Sequence, residues 1–141
     1  MRTISEIMTE DCKTVGPKDS IKQAAIIMRD NDIGFVPVVE GSRLVGVVTD
    51  RDLVIRALAD DSPGSTSVGD VLSTDIKTVS SDTTVDDAAE LMAANQIRRL
   101  PVVDNGELRG VISIGDLAIR EIFVNEAGDA LSSISEHGFT H

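Results

Sequence analysis

Two stretches of this chain align with each other without a gap. Residues 3–57 match residues 67–121 at a constant offset of 64, and 19 of the 55 paired positions are identical. The identical residues include the Pro-Val-Val of positions 37–39, which recurs at positions 101–103. Because a repeat of this length is a whole supersecondary unit, the chain is predicted to fold as two related units in tandem.

The length and composition of the chain suggest that the two repeats share one core. The 141 residues amount to one ordinary domain, and a single repeat would bury too little surface to be stable alone. Apolar residues make up 41% of the chain, but there is no Trp or Tyr and there are three Phe. The core is therefore predicted to be aliphatic, with related surfaces of the repeats facing each other across a cleft.

The charge of the chain argues against several classes of partner. The formal net charge is −11, with 24 acidic and 13 basic residues, which disfavours binding to nucleic acid or to an anionic membrane. No charged-then-apolar signal begins the chain, and no apolar run approaches the roughly 18 residues of a membrane span. The single cysteine, Cys12, excludes an intramolecular disulfide and suits a reducing compartment, so a cytoplasmic location is expected.

Each half has the same predicted order of elements: an amphipathic opening, a short strand, a helix, two strands and a closing helix. In the first helix of each half, apolar residues recur at helical spacing. This β-α-β-β-α order predicts an α/β (α+β) fold. In the two halves, the bounds are strands at 13–15 and 77–79, helices at 21–31 and 85–95, strands at 35–39 and 99–103, strands at 44–48 and 108–112, and closing helices at 50–59 and 114–124.

Local signals fix the ends of these elements. Ser20 with Gln23, and Thr84 with Asp87, have capping-box spacing, and the second pair is weaker because Asp is shorter than Gln. Asn105-Gly106 between two β runs predicts a tight hairpin. Residues 60–66 contain Pro, Gly and acids without apolar periodicity, which indicates a linker between domains at 3–59 and 67–124. Residues 125–141 have no counterpart in the first half and are predicted to be a tail, with one or two helical turns within 127–135.

The closing helices are apolar on more than one side. A helix that is apolar all round is usually buried on both sides, and in a chain of this size the second partner is expected to be another copy of the chain. The sequence therefore predicts a homodimer. The alternative is that these residues only fill an intramolecular core. The apolar residues concerned are Leu53, Val54, Ile55, Ala57 and Leu58 in the first half, and Leu117, Ala118, Ile119, Ile122, Phe123 and Val124 in the second.

Together these motifs resemble the cystathionine-β-synthase (CBS) domain, here present twice. The resemblance rests on Pro-Val-Val in the middle strand and on Gly-Val-Val-Thr-Asp-Arg-Asp-Leu leading into the closing helix, and it covers nearly the whole chain. It implies two CBS units packed through their sheets as a pseudo-twofold module, and a disc-shaped dimer of two modules. It also implies a regulatory role without catalysis, in which a cleft between units binds AMP, ADP, ATP or S-adenosylmethionine and the signal passes to a partner protein.

The strongest candidate ligand residues begin the closing helices. By resemblance, Thr49 and Asp52 occupy the ribose and phosphate positions of the family, and Arg51 could pair with the phosphate. Ser113 and Asp116 are their counterparts in the second repeat. The alternative is structural, since a hydroxyl residue three positions before an acid is also a capping box that needs no ligand.

Arg98 and Arg99 form a second candidate feature, because two adjacent arginines before an apolar strand are unusual in so acidic a chain. A guanidinium matches the oxygens of a phosphate well, and neighbouring strand residues point to opposite faces, so at most one arginine is expected to reach a given ligand. The alternative is ion pairing with surface carboxylates. Gly34-Phe35 replaces this pair in the first repeat, so the two sites are expected to differ chemically.

An adenine base would need an apolar slot, and the strand backbone around Val36 and Leu100 could read its edge. Among the side chains of the slot, Phe35 is the one capable of aromatic stacking. The alternative for most of these positions is ordinary core packing. The candidate residues are Thr14, Val15, Gly34, Phe35, Val36 and Pro37 in the first repeat, and Thr78, Val79, Arg98, Arg99, Leu100 and Pro101 in the second.

Catalysis finds little support in the sequence. Cys12 has no histidine nearby, and His137 and His141 lie beyond the repeats. Neither a Cys/His metal spacing nor a phosphate-cradling Gly-x-x-x-x-Gly-Lys motif is present. The predicted function is therefore a ligand sensor that needs no cofactor. The alternative is a ligand-free homodimeric interaction module.

Overall fold

The computed structural model describes residues 2–119, with side chains to residue 117. The predicted end of the second closing helix near residue 124, the helical turns within 127–135, the tail at 125–141 and both histidines lie outside the described residues. Within the described part, no helix is long and apolar enough to cross a membrane.

The predicted β-α-β-β-α order is confirmed in both repeats, and the fold is mixed α+β. The first predicted strand of each repeat is shorter than expected, because it makes one parallel bridge, Val15 with Val38 or Val79 with Val102. The elements are α1 (Ile21–Asn31), β1 (Phe35–Glu40), β2 (Arg43–Thr49), α2 (Asp50–Asp52), α3 (Val85–Asn95), β3 (Arg99–Asp104), β4 (Glu107–Ser113) and α4 (Ile114–Ile119), with 3₁₀ turns at Ile4–Glu6 and Val68–Asp70.

Caps explain why α1 and α3 begin where the sequence predicts. The Ser20 hydroxyl accepts a hydrogen bond from the Gln23 amide at 3.1 Å, and the Gln23 side chain accepts from the Ser20 amide at 2.8 Å. Thr84 caps α3 by accepting from the Asp87 amide at 3.1 Å, and within the described residues the Asp87 side chain returns no bond. The longer Gln side chain completes a capping box that Asp cannot complete here.

Both predicted hairpins form. In the second hairpin, Asn105 and Gly106 have φ values of 54° and 83°, the left-handed pair that a tight type I′ turn requires. In the first hairpin, Gly41 has a φ of 64°. The turn residues therefore set the β3–β4 and β1–β2 connections, as the Asn-Gly signal predicts.

The chain forms two compact units, and neither coincides with a sequence repeat. The first-repeat unit contains Lys13–Ile76 and Gly106–Leu108, and the second-repeat unit contains 2–12, Lys77–Asn105 and 109–119. The opening segment of each repeat is thus exchanged. Ile4 and Ile7 pack with Met92 and Leu100 in the core of the second-repeat unit. In the same way, Val68 and Val71 pack in the core of the first-repeat unit.

Each exchanged segment pairs with the second hairpin strand of its unit. Ser73 exchanges two backbone hydrogen bonds with Val47, at 3.0 and 2.8 Å, and Thr9 does the same with Val111, at 2.9 and 3.0 Å. An ideal Cβ on Gly46 would lie 2.6 Å from the Ser73 carbonyl oxygen, and one on Gly110 would lie 2.6 Å from that of Thr9. Glycine recurs at these two positions because the exchanged backbone leaves no room for a side chain.

The closing helix of the first-repeat unit is irregular and partly uncovered. After α2, residues Leu53–Ala57 are π-helical and Leu58–Asp60 form a 3₁₀ turn. Three apolar side chains stand in solvent: Val54 is 52% exposed, Ile55 54% and Leu58 70%. This surface agrees with the prediction that the helix is apolar on more than one side.

Candidate functional site

The hydroxyl-x-x-Asp motif of the first repeat forms a reciprocal cap. The Thr49 amide donates to Asp52 Oδ2 at 3.0 Å, and the Asp52 amide donates to Thr49 Oγ1 at 3.1 Å. This is the geometry of the capping box that was the alternative to a ligand site. The motif therefore has a structural role at this position even before any ligand is considered.

Two further groups contact the Asp52 carboxylate. The Ser73 hydroxyl donates to it at 3.2 Å from Oδ1 and 3.3 Å from Oδ2. Arg56 Nε lies 3.7 Å from Oδ1, and the same guanidinium donates to the Leu72 carbonyl oxygen at 3.2 Å. Asp52 is 7% exposed and is the one charged residue buried within the described part of the chain. We call Thr49, Asp52, Arg56 and Ser73 the Asp52 cluster; its hydrogen bonds and ion pair compensate the burial of the charge.

A second carboxylate, that of Asp50, lies next to Gly34 in the first-repeat unit. The Asp50 amide donates to the Gly34 carbonyl oxygen at 3.0 Å. An ideal Cβ on Gly34 would lie 2.7 Å from Asp50 Oδ2, so the carboxylate fills the space that a side chain at position 34 would need. Arg51, the predicted phosphate partner, is exposed and makes no ion pair within the described residues.

The motif of the second repeat has the same cap, and Arg120, the counterpart of Arg56, lies outside the described residues. The Ser113 amide donates to Asp116 Oδ2 at 2.9 Å, and the Asp116 amide donates to Ser113 Oγ at 3.1 Å. Asp116 is half-buried, and no other residue between 2 and 117 donates to its carboxylate. Thr9 is the counterpart of Ser73, and its hydroxyl makes no bond to Asp116. The carboxylate of Asp116 therefore has an oxygen, Oδ1, to which none of the described residues donates.

Arg98, just before β3, and Arg99, the first residue of β3, are exposed, and neither makes an ion pair within residues 2–117. Arg98 is tied to the motif of the second repeat through its backbone, because its carbonyl oxygen accepts from the Ile114 amide at 2.9 Å. Ile114 replaces Asp50 at this place, and its side chain is buried. An arginine and an isoleucine thus stand where the first-repeat unit has glycine and a carboxylate.

The predicted base slot divides into buried and accessible positions. Thr14 and Thr78 are exposed, and Gly34 and Phe35 are half-buried. The other strand positions of the slot are buried, which is the arrangement that the alternative of core packing predicts for them. The buried positions are Val15, Val36, Pro37, Val79, Leu100 and Pro101. The Val15 and Val79 amides each donate to a proline carbonyl oxygen, of Pro37 and Pro101 respectively, at 3.1 Å.

Sequence reasoning missed the roles of Ser73, Arg56 and Asp50. Arg56 lies four residues after Asp52, the spacing of a helical ion pair, so that contact was accessible from the sequence. Ser73 lies 21 residues from Asp52, and only the exchange of the opening segments brings the two together. No periodicity in the sequence reveals that exchange.

Two observations concern the metal-ligating and nucleophilic side chains of the described residues. Residues 2–117 hold no cluster of three or more His, Cys, Asp and Glu side chains that could bind a metal ion. Burial raises the pKa of the Cys12 thiol, and the negative charge of Asp11 adds to this effect. The thiolate, which is the nucleophilic form, is therefore disfavoured.

Comparison with known proteins gives the same family for both repeats. The CBS domain family matches residues 4–58 and 68–121. A relative from Bacillus subtilis, the CBS domain-containing protein YhcV, is 40% identical over 135 residues, which cover 96% of each chain.

Two solved structures with bound ligands share the fold. CBSX2 in complex with AMP has a TM-score of 0.77 at 28% identity, and the match covers 89% of this chain and 99% of that one. The CBS domain pair of MJ0100, in complex with 5′-methylthioadenosine and S-adenosyl-L-methionine, has a TM-score of 0.72 at 26% identity and covers 84% of this chain and 98% of its own. With two family matches that together span most of its length, this chain belongs to the CBS domain family.

Proposed function

We propose that this chain is a non-enzymatic regulatory module of the cytoplasm. It binds an adenosine-containing ligand, namely AMP, ADP, ATP or S-adenosylmethionine, and signals to a partner protein. The observation that carries the proposal is the half-buried Asp116 carboxylate, which keeps one oxygen without a donor among the described residues. The AMP and S-adenosylmethionine complexes of similar chains support the class of ligand.

The chemistry of adenosine fits the groups around Asp116. The two ribose hydroxyls are hydrogen-bond donors, and a carboxylate oxygen accepts such bonds well. The Arg98 carbonyl oxygen accepts from the Ile114 amide at the start of α4, and the exposed guanidinium of Arg98 would pair with a phosphate of a nucleotide.

A ligand acts as a signal only if it binds one arrangement of the protein more tightly than another. We therefore propose that ligand binding changes the shape or the stability of the module, and that a partner protein recognises this change. The irregular helical segment of the first-repeat unit suits such a role, because a π-helical stretch inside a helix often marks a functional position.

We further propose that the module is a homodimer through the uncovered helical surface of the first-repeat unit. Leu58 lines a groove of about 280 Å³, and Val54 and Ile55 are exposed on the same helical segment. Exposed apolar side chains next to a largely apolar groove are typical of a protein interface. The groove is lined by Ile21, Lys22, Ala25, Leu53, Ala57, Leu58, Ser62 and Gly64.

Thermal unfolding with a ligand panel tests the ligand proposal. A ligand at about 100 times its dissociation constant stabilises the folded state by about 2.7 kcal/mol, which raises the melting temperature by several degrees. AMP, ADP, ATP and S-adenosylmethionine are tested separately, with guanosine monophosphate as the control. A rise with an adenosine compound that exceeds the rise with the control supports the proposal, and no rise with any of the four rejects it.

The second candidate function is a ligand-free interaction module. The observation that favours it is that both hydroxyl-x-x-Asp motifs already form reciprocal caps. In that case the apolar surface at Val54, Ile55 and Leu58 carries the function, and substituting Asp116 by Asn changes only the stability of the fold. If nucleotide raises the melting temperature of wild type but not of Asp116→Asn, this alternative is excluded.

A further inference from the structure

Asn105 and Gly106, at the tip of the second hairpin, lie outside the set of residues assigned to ligand binding. Asn105 is exposed, and the two residues have left-handed φ values of 54° and 83°. We propose that Asn105 is a site of spontaneous deamidation and that the guanidinium of Arg43 promotes the reaction. The product changes the backbone where the two hairpins are hydrogen-bonded to each other. This inference does not depend on the proposed function.

An asparagine followed by glycine is chemically reactive. The backbone nitrogen of Gly106 attacks Cγ of Asn105 and closes a succinimide ring, while the Cγ–Nδ2 bond breaks and ammonia leaves with the amide proton of Gly106. Glycine favours this step because it has no side chain to obstruct its nitrogen. Water then opens the ring at either carbonyl carbon, so the product is aspartate or isoaspartate. The reaction consumes water and needs neither an oxidant nor a reductant.

The other described asparagines are held differently. Of the four asparagines in the chain, Asn105 alone precedes a glycine. Asn31 and Asn95 are the last residues of α1 and α3. Their Nδ2 atoms donate to the carbonyl oxygens of Ile27 and Leu91, at 2.9 and 3.0 Å. These two side chains are therefore fixed in helices, and they serve as references within the same protein.

A cation lies beside the reacting atoms of the turn. An ideal Cβ on Gly106 would be 2.8 Å from Arg43 Nη1 and 2.9 Å from Arg43 Cζ, so the guanidinium lies against the backbone of the glycine. During ring closure the nitrogen of Gly106 loses its proton, and Oδ1 of Asn105 takes up negative charge. A positive charge at short range stabilises that developing charge. Arg43 therefore makes this turn more reactive than the same turn would be without it.

The product would alter a set of hydrogen bonds between the hairpin tips. The Gly106 carbonyl oxygen accepts from the Leu44 amide at 3.0 Å, and the Leu108 amide donates to the Ser42 carbonyl oxygen at 2.8 Å. The Ser42 hydroxyl also donates to Glu107 Oε1 at 3.1 Å. In isoaspartate the main chain runs through Cβ and Cγ, so the backbone is longer by a carbon atom directly before these bonds. We therefore expect the isoaspartate form to lose them.

Peptide mapping of the full-length protein tests the site. The protein is incubated at physiological pH and temperature, and mass spectrometry detects the replacement of NH₂ by OH at each asparagine. Chromatography separates the aspartate and isoaspartate peptides. Deamidation is expected at Asn105 before it is detectable at Asn31 or Asn95. An unaltered Asn105, or equal rates at the three asparagines, overturns the inference.

A matched pair of variants tests the role of Arg43. Arg43→Gln removes the charge and is expected to slow deamidation of Asn105 in the folded protein by about fivefold, the effect of a single charge at short range in a solvated turn. Arg43→Lys keeps a positive charge and is expected to keep most of the wild-type rate. In urea, where the turn no longer holds the side chain in place, all three proteins are expected to react alike. An unchanged rate in folded Arg43→Gln overturns the role of Arg43.

Hydrogen exchange followed by NMR tests the structural consequence. In the isolated isoaspartate form, the amides of Leu44 and Leu108 are expected to exchange faster than in unaltered protein. Asn105→Asp is the control, because it introduces the same charge without lengthening the backbone, and it is expected to keep both amides protected. Protection of both amides in the isoaspartate form would overturn the predicted loss of these bonds. No nucleotide takes part in any of these measurements, so their failure leaves the proposed function standing.

Discussion

The Ser73 hydroxyl donates to both carboxylate oxygens of Asp52, at 3.2 and 3.3 Å. This contact fastens an exchanged opening segment to the start of a closing helix inside the first-repeat unit. Its counterparts in the second-repeat unit, Thr9 and Asp116, make no such bond within the described residues. Within residues 2–117, the exchanged segment is thus bonded to the aspartate of the motif in the first-repeat unit and not in the second-repeat unit.

The Asp52 cluster is expected to contribute more to stability than its counterpart. Asp52→Ala leaves the Ser73 hydroxyl and the Thr49 amide without their acceptor, and a loss of about 1–3 kcal/mol in the free energy of unfolding is expected. Within residues 2–117, the bond that Asp116→Ala removes is the one from the Ser113 amide in the cap, for which about 1 kcal/mol is expected. Urea unfolding in the absence of nucleotide measures the free energy of unfolding of both variants. Equal losses would show that the Asp52 cluster contributes no more to stability than its counterpart.

Two glycines are expected to resist substitution because of the exchanged backbone. Gly46→Ala and Gly110→Ala each place a Cβ 2.6 Å from a carbonyl oxygen, of Ser73 or Thr9, which forces the paired segment to move. A loss of about 1–3 kcal/mol is expected for each. Gly64→Ala is the control, since its Cβ meets only Lys22 Cβ at an ordinary 3.6 Å. Chemical denaturation measures the three variants, and wild-type stability of Gly46→Ala would contradict the pairing.

Because of the uncovered helical surface, we expect a dimer that a charge introduced on this surface dissociates. Leu58 is 70% exposed beside the apolar groove, and Leu58→Glu would bury a carboxylate if that surface is an interface. Sedimentation equilibrium is expected to show a dimer for wild type and a monomer for Leu58→Glu. Ser65→Glu, an exposed linker position with the same charge change, is expected to stay dimeric. A monomeric wild type, or a Leu58→Glu dimer of wild-type affinity, would remove this surface as the interface.

The single thiol gives a prediction about pH. The pKa of Cys12 is raised, first by burial and also by Asp11, so the thiolate forms at a higher pH in the folded chain than in the unfolded chain. Alkylation by iodoacetamide, followed against pH by mass spectrometry, is expected to rise at higher pH for native protein than for protein in urea. Coincident midpoints would contradict the burial of this thiol.

Much of the fold follows from local signals in the sequence. The bounds of α1 and α3 agree with the prediction, because Ser20 and Thr84 fix the starts, and Asp32 and Gln96 end the helices with left-handed φ values of 53° and 55°. The hairpins follow from their turn residues. These features depend on interactions between residues close together in the chain, and such interactions can be predicted from the local sequence.

The features that decide the site depend on distant residues. The exchange of the opening segments places Ser73 beside Asp52 and Thr9 beside Gly110. The sequence of each segment does not indicate with which unit that segment packs. The same holds for Asp50. Its sequence position indicates an acidic residue in the first turn of a helix, whereas the structure shows that its carboxylate fills the space beside Gly34. The sequence therefore predicts the candidate residues and a chemical difference between the two sites, but it does not predict the contacts of Ser73 and Asp50 in the first-repeat unit.

The central claim is that adenosine-containing ligands bind this chain, and a crystal structure grown with saturating AMP tests it most directly. The account predicts ligand density beside Asp116, with the ribose hydroxyls within hydrogen-bond distance of its carboxylate and the phosphate near Arg98. A structure in which both aspartates keep only their protein partners at saturating AMP would contradict the account.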